Sequence, residues 1–213
     1  MISLSQYRSA ELFVLFVLMP VSLCFDYSII IKAGLVLAGL AYIVVLLLRD
    51  PNRPLKINPS RPWNKFLKRM FLQFIVIAIV TTAYVYWMSP NSLFCVPLNK
   101  PLLWGAILGI YTFLSVWPQE IIYRTFFFTR YASLFKSKPL LIFVNAILFS
   151  LAHIFFRNTL VMVLTFIGGL LFAITYIKTK STLMVSIEHA LYGNWLFTVG
   201  MGEMLAFPGM ESC

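Results

Sequence analysis

Charged residues are scarce in this chain: they make up 11% of its 213 residues, and only seven are Asp or Glu. An average soluble domain carries about 25% charged residues. Hydrophobic residues reach 61%, and the mean hydropathy is +0.88. This composition excludes a soluble globular protein and predicts an integral, multi-pass membrane protein, in the plasma or inner membrane if the source is bacterial. The first predicted partner is therefore the lipid bilayer.

Cysteine is also rare, and its three copies show no C-x-x-C spacing. This argues against a cysteine metal site or a dithiol redox motif. A disulfide between two of Cys24, Cys95 and Cys213 stays open if their side of the membrane is oxidising. The sequence also lacks a fixed-period repeat, a long linker and a small-residue cleavage site after its first apolar run. These absences predict one membrane domain over residues 1–213 with a retained first helix.

Long hydrophobic runs predict an all-α fold, a polytopic transmembrane helical bundle of about seven spans, with six and eight as the bounds. A span needs about 20 apolar residues to cross a ~30 Å hydrocarbon core. The predicted spans cover residues 10–25, 28–48, 67–88, 101–123, 139–156, 160–178 and 181–199.

Lys and Arg are distributed unequally between the loops that these spans define. With a cytoplasmic N-terminus, only Lys100 and Arg157 face outward, and thirteen basic residues face the cytoplasm. The thirteen are Arg8, Arg49, Arg53, Lys56, Arg61, Lys65, Lys68, Arg69, Arg130, Lys136, Lys138, Lys178 and Lys180. Cytoplasmic loops are enriched in positive charge, so this bias predicts a cytoplasmic N-terminus. It also accounts for the net charge of +10 without a nucleic-acid partner.

Ionisable residues interrupt the interior of the apolar spans mainly after Pro101. The apolar run from Trp104 to Phe128 carries Glu120, and the only two histidines, His153 and His189, lie in two later spans. A charged group at bilayer depth costs at least ~2.5–3.5 kcal/mol, so such residues need partners or a function. We therefore predict packing or substrate access for residues 1–100, whose first two helices carry no ionisable residue deep in the bilayer. The chemistry is predicted to lie within residues 101–199.

Each polar group also has a structural interpretation. Glu120 and Arg124 lie one helical turn apart and can neutralise each other, and a lone histidine in an apolar helix usually bonds to a neighbouring helix. Pro118 removes a backbone hydrogen bond just before Glu120, which produces either an ordinary kink or a shaped site. The following aromatic and basic residues predict an interfacial anchor, with substrate docking as the alternative. These residues are Phe126, Phe127, Phe128, Arg130 and Tyr131.

The residue types in these spans suit hydrolysis. A carboxylate and a histidine, such as Glu120 and His153, can orient a water molecule and take its proton. A second histidine and an asparagine amide, such as His189 and Asn194, can donate hydrogen bonds to the developing oxyanion. The same Glu, His and His could instead ligate zinc, although the H-E-x-x-H pattern of the common zinc proteases is absent.

Three motifs in this order resemble the CAAX-protease and bacteriocin-processing (CPBP) family of polytopic intramembrane endopeptidases, which includes the type II CAAX prenyl endopeptidases. They are Gln119-Glu120-x-x-x-Arg124, Phe149-x-x-x-His153, and His189 followed by Asn194. The family pattern is Glu-Glu-x-x-x-Arg, Phe-x-x-x-His and His-x-x-x-Asn or Asp on successive helices. The resemblance covers about Trp104 to Phe197. It implies a glutamic- or metallo-type peptidase in which water is the nucleophile, with His153 acting on that water and His189 at the oxyanion.

Gln119 is the first departure from the family pattern, because it stands where the family has its first Glu. An amide cannot accept a proton at neutral pH, although it can position a water molecule. Activity would therefore require Glu120 to act as the base, with Arg124 tuning it. Otherwise the chain is a non-catalytic relative.

Asn194 is the second departure, since it lies five residues after His189 and Gly193 occupies the usual position. Five residues of a regular helix turn by about 500°, which places Asn194 about 140° from His189. A π-bulge near Gly193 would restore the family geometry. Without such a bulge, Asn194 does not correspond to the family's Asn.

Three functions stay open from the sequence. The leading one is an intramembrane endopeptidase that cuts a membrane-associated peptide or protein. The second, favoured by Gln119, is an inactive family member that acts as a membrane scaffold or immunity factor. The third is a small transporter or proton relay around Glu120, His153 and Glu188, against which no duplicated half is visible. Glu188 itself either replaces the missing carboxylate or orients His189.

Overall fold

A computed structural model of the protein describes residues 3–51 and 63–205, and in these ranges the chain forms helices joined by short turns, without a strand. Its α-helices are Leu4–Phe13, Met19–Ser22, Ile29–Arg49, Trp63–Met88, Cys95–Asn99, Pro101–Ile110, Trp117–Glu120, Phe127–Tyr131, Lys138–Leu151, Thr159–Thr179 and Thr182–Val199. π-helical segments at Val14–Leu18, Tyr111–Val116 and Ile121–Phe126 continue some of them without a break. The all-α prediction is confirmed.

Five helices in the described ranges are long and apolar enough to cross a membrane. They are Ile29–Arg49, Trp63–Met88, Pro101–Leu134, Lys138–Phe156 and Thr159–Thr179. They correspond to five of the seven predicted spans. The remaining two segments are also helical, but Glu188, His189 and Asn194 lower the hydropathy of Thr182–Val199. The prediction of a polytopic transmembrane fold is confirmed, and the cytoplasmic location of the N-terminus stays a prediction.

The chain divides into two compact units that interleave in sequence. Unit 1 comprises Met1–Ile57 and Gln119–Thr182, and unit 2 comprises Asn58–Pro118 and Leu183–Cys213. Both units draw on residues from either side of Pro101. Among the predicted site residues, unit 1 carries Gln119, Glu120, Arg124 and His153, and unit 2 carries Glu188, His189 and Asn194.

Unit 1 buries a carboxylate that the sequence reasoning missed. Glu11, on Leu4–Phe13, is 8% exposed. Its Oε2 lies 2.8 Å from Nε of Arg130 and accepts a hydrogen bond of 3.0 Å from the Tyr131 hydroxyl, and the Tyr42 hydroxyl donates to its Oε1. Its cationic partner lies 119 residues away in sequence. The first helix therefore contributes a buried, paired ionisable group to unit 1.

The aromatic segment near Arg130 belongs to the interior of unit 1. Phe126, Phe127, Phe128 and Tyr131 are all buried. The ring of Phe16 packs against three of them and lies, for example, 5.4 Å from that of Phe127. The predicted interfacial anchor is therefore wrong for these rings. Arg130 forms an ion pair with the buried Glu11, so its charge is neutralised by a carboxylate of the same unit.

Small residues allow two helices of unit 1 to pack closely. A Cβ added to Gly169, on Thr159–Thr179, would lie 2.9 Å from Cα of Ala146, on Lys138–Leu151. Small residues at such contacts let helix backbones approach each other in membranes. This packing holds the helix that leads into His153.

Substitution of Gly169 by alanine is expected to lower the free energy of unfolding by about 1–3 kcal/mol, because the backbone of Ala146 must move. That loss exceeds the ~1 kcal/mol by which alanine is otherwise favoured over glycine in a helix. Gly168→Ala is the matched control, since its Cβ would meet the movable ring of Phe172, at 3.1 Å. Unfolding of both variants in mixed micelles measures the difference, and equal stabilities would contradict the assigned role of Gly169.

Side-chain hydrogen bonds fix the helix Thr182–Val199 within unit 2. The Tyr192 hydroxyl donates to the carbonyl oxygen of Met70 at 3.1 Å, and Nε1 of Trp195 donates to Oγ1 of Thr81 at 2.9 Å. Both acceptors lie on Trp63–Met88. The helix is followed by Gly200, whose φ of +111° and close approach to the Ser92 carbonyl both require glycine. Unit 2 therefore holds the helix of His189 at a fixed rotation.

The cysteines differ in state. Cys24 is a free thiol, and Cys95 takes part in a disulfide. Cys213 and three of the basic residues assigned to the cytoplasmic side lie outside the described residues. Those three are Arg53, Lys56 and Arg61.

Candidate active site

The helix Pro101–Leu134, here called the Glu120 helix, is wound unevenly around Pro118. The single α-turn Trp117–Glu120 lies between two π-helical segments, Tyr111–Val116 and Ile121–Phe126. Pro118 has no N–H to donate to the preceding turn, and wider π turns are frequent at functional sites. The helix stays continuous, so the opening predicted at Pro118 takes the form of widened turns. Gln119, the neighbour of Glu120, is partly buried.

Glu120 and Arg124 form a fully buried ion pair in unit 1. Both side chains are 0% exposed, and Nε of Arg124 lies 3.4 Å from Oε2 of Glu120. Nη1 of Arg124 also donates to Oδ1 of Asn145 at 2.9 Å, and the guanidinium carbon lies 4.6 Å from the centre of the Phe149 ring. The predicted pairing of Glu120 with Arg124 is confirmed.

His153 lies just beyond the end of Lys138–Leu151, with its ring folded back onto the helix. Its Nδ1 is 2.8 Å from the carbonyl oxygen of Phe149, and its ring packs against the Phe149 ring at 5.0 Å. A carbonyl oxygen only accepts hydrogen bonds, so Nδ1 carries the proton. In the neutral ring, the lone pair is then on Nε2. This tautomer leaves Nε2 as the basic atom of His153.

Phe149 lies between Arg124, the partner of Glu120, and His153. One of its faces contacts the guanidinium of Arg124, and its carbonyl oxygen and ring contact His153. Unit 1 therefore joins Glu120, Arg124 and His153 through one aromatic residue. The Phe-x-x-x-His spacing has a physical role here, because it provides the carbonyl that fixes the histidine tautomer.

In unit 2, His189 is buried beside Tyr111 on the Glu120 helix. The Tyr111 hydroxyl oxygen lies 3.1 Å from Nε2 of His189, and the two rings meet edge to face with centroids 6.0 Å apart. The hydroxyl also fills the space next to Gly193, where an added Cβ would lie 2.1 Å from it. Sequence reasoning missed Tyr111, which is 78 residues from its partner.

Asn194 points to a different neighbour. The helix Thr182–Val199 is α-helical throughout, so it lacks the π-bulge near Gly193 that would restore the family geometry. Nδ2 of Asn194 donates to Oγ1 of Thr112 at 3.0 Å, and its buried Oδ1 accepts no hydrogen bond from the described residues. Asn194 therefore does not take the position of the family's Asn relative to His189.

The comparison with known families bears on this arrangement. Residues 100–195 match the family described as type II CAAX prenyl endopeptidase, Rce1-like. The chain carries an Rce1-like segment. No curated protein and no solved structure matches the chain. The resemblance predicted from the three motifs is confirmed over this segment.

Glu188, also within the Rce1-like segment, is fully buried in unit 2. Its Oε1 lies 3.2 Å from the Tyr192 hydroxyl oxygen, and its Oε2 lies 4.0 Å from Nη2 of Arg69. These contacts tie it to the helix Trp63–Met88. The two roles predicted for Glu188, as a substitute carboxylate or a group that orients His189, stay predictions.

Asn145 is a second residue that sequence reasoning missed in the Rce1-like segment. It is fully buried, accepts from Arg124 and donates to the carbonyl oxygen of Tyr123 at 2.7 Å. Its spacing of four from Phe149 and eight from His153 placed it on their helix face, so the signal was present in the sequence.

Metal ligation was the alternative use of the acidic and histidine side chains. In the ranges 3–51 and 63–205, no group of three or more His, Cys, Asp or Glu is placed to hold a metal ion. Zinc ligation by Glu and His stays a prediction.

Proposed function

We propose that the chain is an intramembrane endopeptidase that hydrolyses a peptide bond in a membrane-associated peptide or protein. The observation that carries this proposal is the buried network of unit 1. Glu120 forms a buried ion pair with Arg124, and Nδ1 of His153 lies 2.8 Å from the Phe149 carbonyl oxygen. A purely structural ion pair would need only Glu120 and Arg124. The network also contains His153, whose Nδ1 is fixed by a backbone carbonyl, so that Nε2 is its basic nitrogen.

In this proposal the chemistry in unit 1 begins with water. Glu120 and His153 orient a water molecule, which loses a proton to one of them as its oxygen attacks the scissile carbonyl carbon. The same group then returns the proton to the departing amine nitrogen as the C–N bond breaks. Water is the nucleophile, so no covalent intermediate forms.

His189, in unit 2, is proposed to stabilise the negative charge that develops on the carbonyl oxygen. Preorganised donors at this position typically contribute 10²–10³-fold to kcat each. Asn194 was the predicted second donor, but its amide already donates to Thr112 and the helix lacks the π-bulge that this role required. The oxyanion role of Asn194 therefore loses its support.

The test uses the full-length protein in lipid nanodiscs with two matched peptides. Both end in a CAAX sequence, and only one carries a farnesyl group on its cysteine. Mass spectrometry of the products gives the cleaved bond and its rate. We expect cleavage by the wild type and a loss of about 10²-fold in His153→Ala, because a general base is removed. Cleavage of the prenylated peptide alone would identify the substrate as a lipidated C-terminus.

Thr165→Val is the control for this experiment. Thr165 lies on Thr159–Thr179, and its hydroxyl donates to the carbonyl of Val161 in its own helix. The variant should cleave at the wild-type rate. Equal rates in wild type and His153→Ala would contradict the proposed role of the histidine.

Gln119 supports a second candidate, an inactive family member that acts as a scaffold or immunity factor. An amide at position 119 cannot replace the carboxylate that the family pattern has there. This candidate predicts no cleavage of any peptide and a biological effect that persists when Glu120 is changed to glutamine.

A further inference from the structure

Tyr111 occupies the space of a side chain that the chain lacks. A Cβ on Gly193 would lie 2.1 Å from the Tyr111 hydroxyl oxygen and 2.4 Å from two atoms of its ring. Heavy atoms that are not bonded cannot approach so closely, so no residue other than glycine fits at position 193 while Tyr111 is in place. Gly193 and Tyr111 therefore depend on each other, because the tyrosine occupies the space that a side chain at position 193 would need.

The position of the phenol ring is well defined. Tyr111 is buried and begins the π-helical segment Tyr111–Val116. Its ring packs edge to face on Phe197, with centroids 4.9 Å apart, and on His189. The next residue, Thr112, holds the amide of Asn194. Two consecutive residues of the Glu120 helix thus contact the helix of His189, and the hydroxyl is fixed beside the imidazole.

We propose that the Tyr111 hydroxyl, supported by the hydrogen bond from His189, is an oxyanion donor of this chain, in the role that position 193 has in the family pattern. This inference rests on the proposed peptidase function. In this arrangement Nε2–H of His189 donates to the tyrosine oxygen, and the Tyr111 hydroxyl donates its own proton to the oxyanion, so that His189 acts on the oxyanion through the tyrosine. A chain of two hydrogen bonds polarises the terminal O–H and makes it a stronger donor. No proton is transferred in this step, because His189 only donates a hydrogen bond to the tyrosine oxygen and the tyrosine hydroxyl only donates one to the oxyanion.

The first test is Tyr111→Phe, which removes the hydroxyl and keeps the ring. We expect kcat to fall about 10²–10³-fold with little change in KM, since the hydroxyl acts on charge that develops only in the transition state. The variant should unfold at nearly the wild-type temperature. A wild-type kcat in Tyr111→Phe would overturn the proposal.

A rescue experiment separates donation from packing. Tyr111→Ala should lose about as much kcat as Tyr111→Phe, and adding Gly193→Asn places an amide in the vacated space. We expect Tyr111→Ala/Gly193→Asn to recover at least about 10-fold of the lost kcat, since one good oxyanion donor contributes 10²–10³-fold. Tyr111→Ala/Gly193→Leu is the matched control, because leucine has the shape of asparagine without its amide. Equal recovery with leucine would show that Tyr111 only fills space, and would overturn the donor role.

A spectroscopic readout does not depend on turnover. The chain has only two histidines, so ¹⁵N-histidine labelling gives two imidazole spin systems. Tyr111→Phe should shift the Nε2 resonance of His189 and leave that of His153 unchanged. An unchanged His189 resonance would overturn the hydrogen bond on which the proposal depends.

Failure of the inference and failure of the proposed function give different results. If the wild type cleaves and Glu120→Gln does not, while Tyr111→Phe cleaves normally, only the role of Tyr111 is wrong. If the wild type cleaves no peptide, the proposed peptidase function is refuted, and the donor role of Tyr111 is refuted with it.

Discussion

Glu120→Gln is expected to lower kcat for peptide hydrolysis by about 10²–10⁴-fold, the largest effect on activity of any single substitution in this chain. Glutamine keeps the shape and a hydrogen-bond acceptor for Arg124 but cannot take a proton from water. Glu120 is the carboxylate left in the first motif, since Gln119 is an amide. Initial rates on the CAAX peptide, measured at saturating concentration in nanodiscs, give the comparison.

Two further variants test whether the effect is specific to the carboxylate of Glu120. Glu120→Asp keeps the carboxylate on a shorter side chain, and its rate should lie between those of wild type and Glu120→Gln. Glu203→Gln makes the same chemical change at an exposed glutamate and should leave the rate unaltered. A wild-type rate in Glu120→Gln would refute Glu120 as the base. An unaltered biological effect, with no cleavage by any form, would establish the scaffold instead.

Arg124→Met is expected to cost about 3–5 kcal/mol of folding stability, the largest structural effect. Removing one member of a buried ion pair leaves the other charge uncompensated. Here the stranded group is the Glu120 carboxylate, which is 0% exposed. The variant also loses the bond to Asn145 and the contact with the Phe149 ring. Reversible unfolding in mixed micelles, followed by circular dichroism, measures the loss.

The double variant Arg124→Met/Glu120→Gln is the diagnostic control for this loss. It contains no buried charge at the pair, so much of the stability should return, and the double-mutant cycle gives the coupling energy. Arg157→Met is a control at an exposed arginine, whose guanidinium donates to the Cys24 carbonyl. If Arg124→Met and Arg157→Met are equally stable, the pair contributes nothing to folding.

Apolar runs and local residue spacing were sufficient to predict part of the fold and one contact of the candidate site. Runs of about 20 apolar residues identified the five long helices, because the bilayer forces backbone groups to pair within each segment. The pairing of Glu120 with Arg124 followed from their spacing of four on one helix. Both signals depend only on residues that are close in sequence.

Long-range partners could not be predicted in the same way. Tyr111 and His189 are 78 residues apart, and Glu11 and Arg130 are 119 apart. Which residues meet across such separations depends on helix rotation, and the π-helical segments that set this rotation have no recognisable sequence pattern here. Charge and hydropathy were therefore informative about spans but not about contacts.

The segment from Phe126 to Tyr131 shows how one composition fits two environments. Aromatic rings beside an arginine are typical of the lipid interface, where the ring is apolar and the cation reaches water. The same set suits an interior that contains a carboxylate for the arginine. Only the position of Glu11 distinguishes the two cases, and that position was not visible in the sequence around Arg130.

The π-helical segment Tyr111–Val116 changes how the first motif should be aligned. A π turn absorbs one residue without advancing the helix face, so every later residue takes the direction that its predecessor would have in an unbroken α-helix. Glu120 consequently has the direction that Gln119 would have if the helix were α-helical from Pro101 onward. The direction of a side chain in this motif therefore depends on the winding of the preceding turns as well as on its place in the sequence.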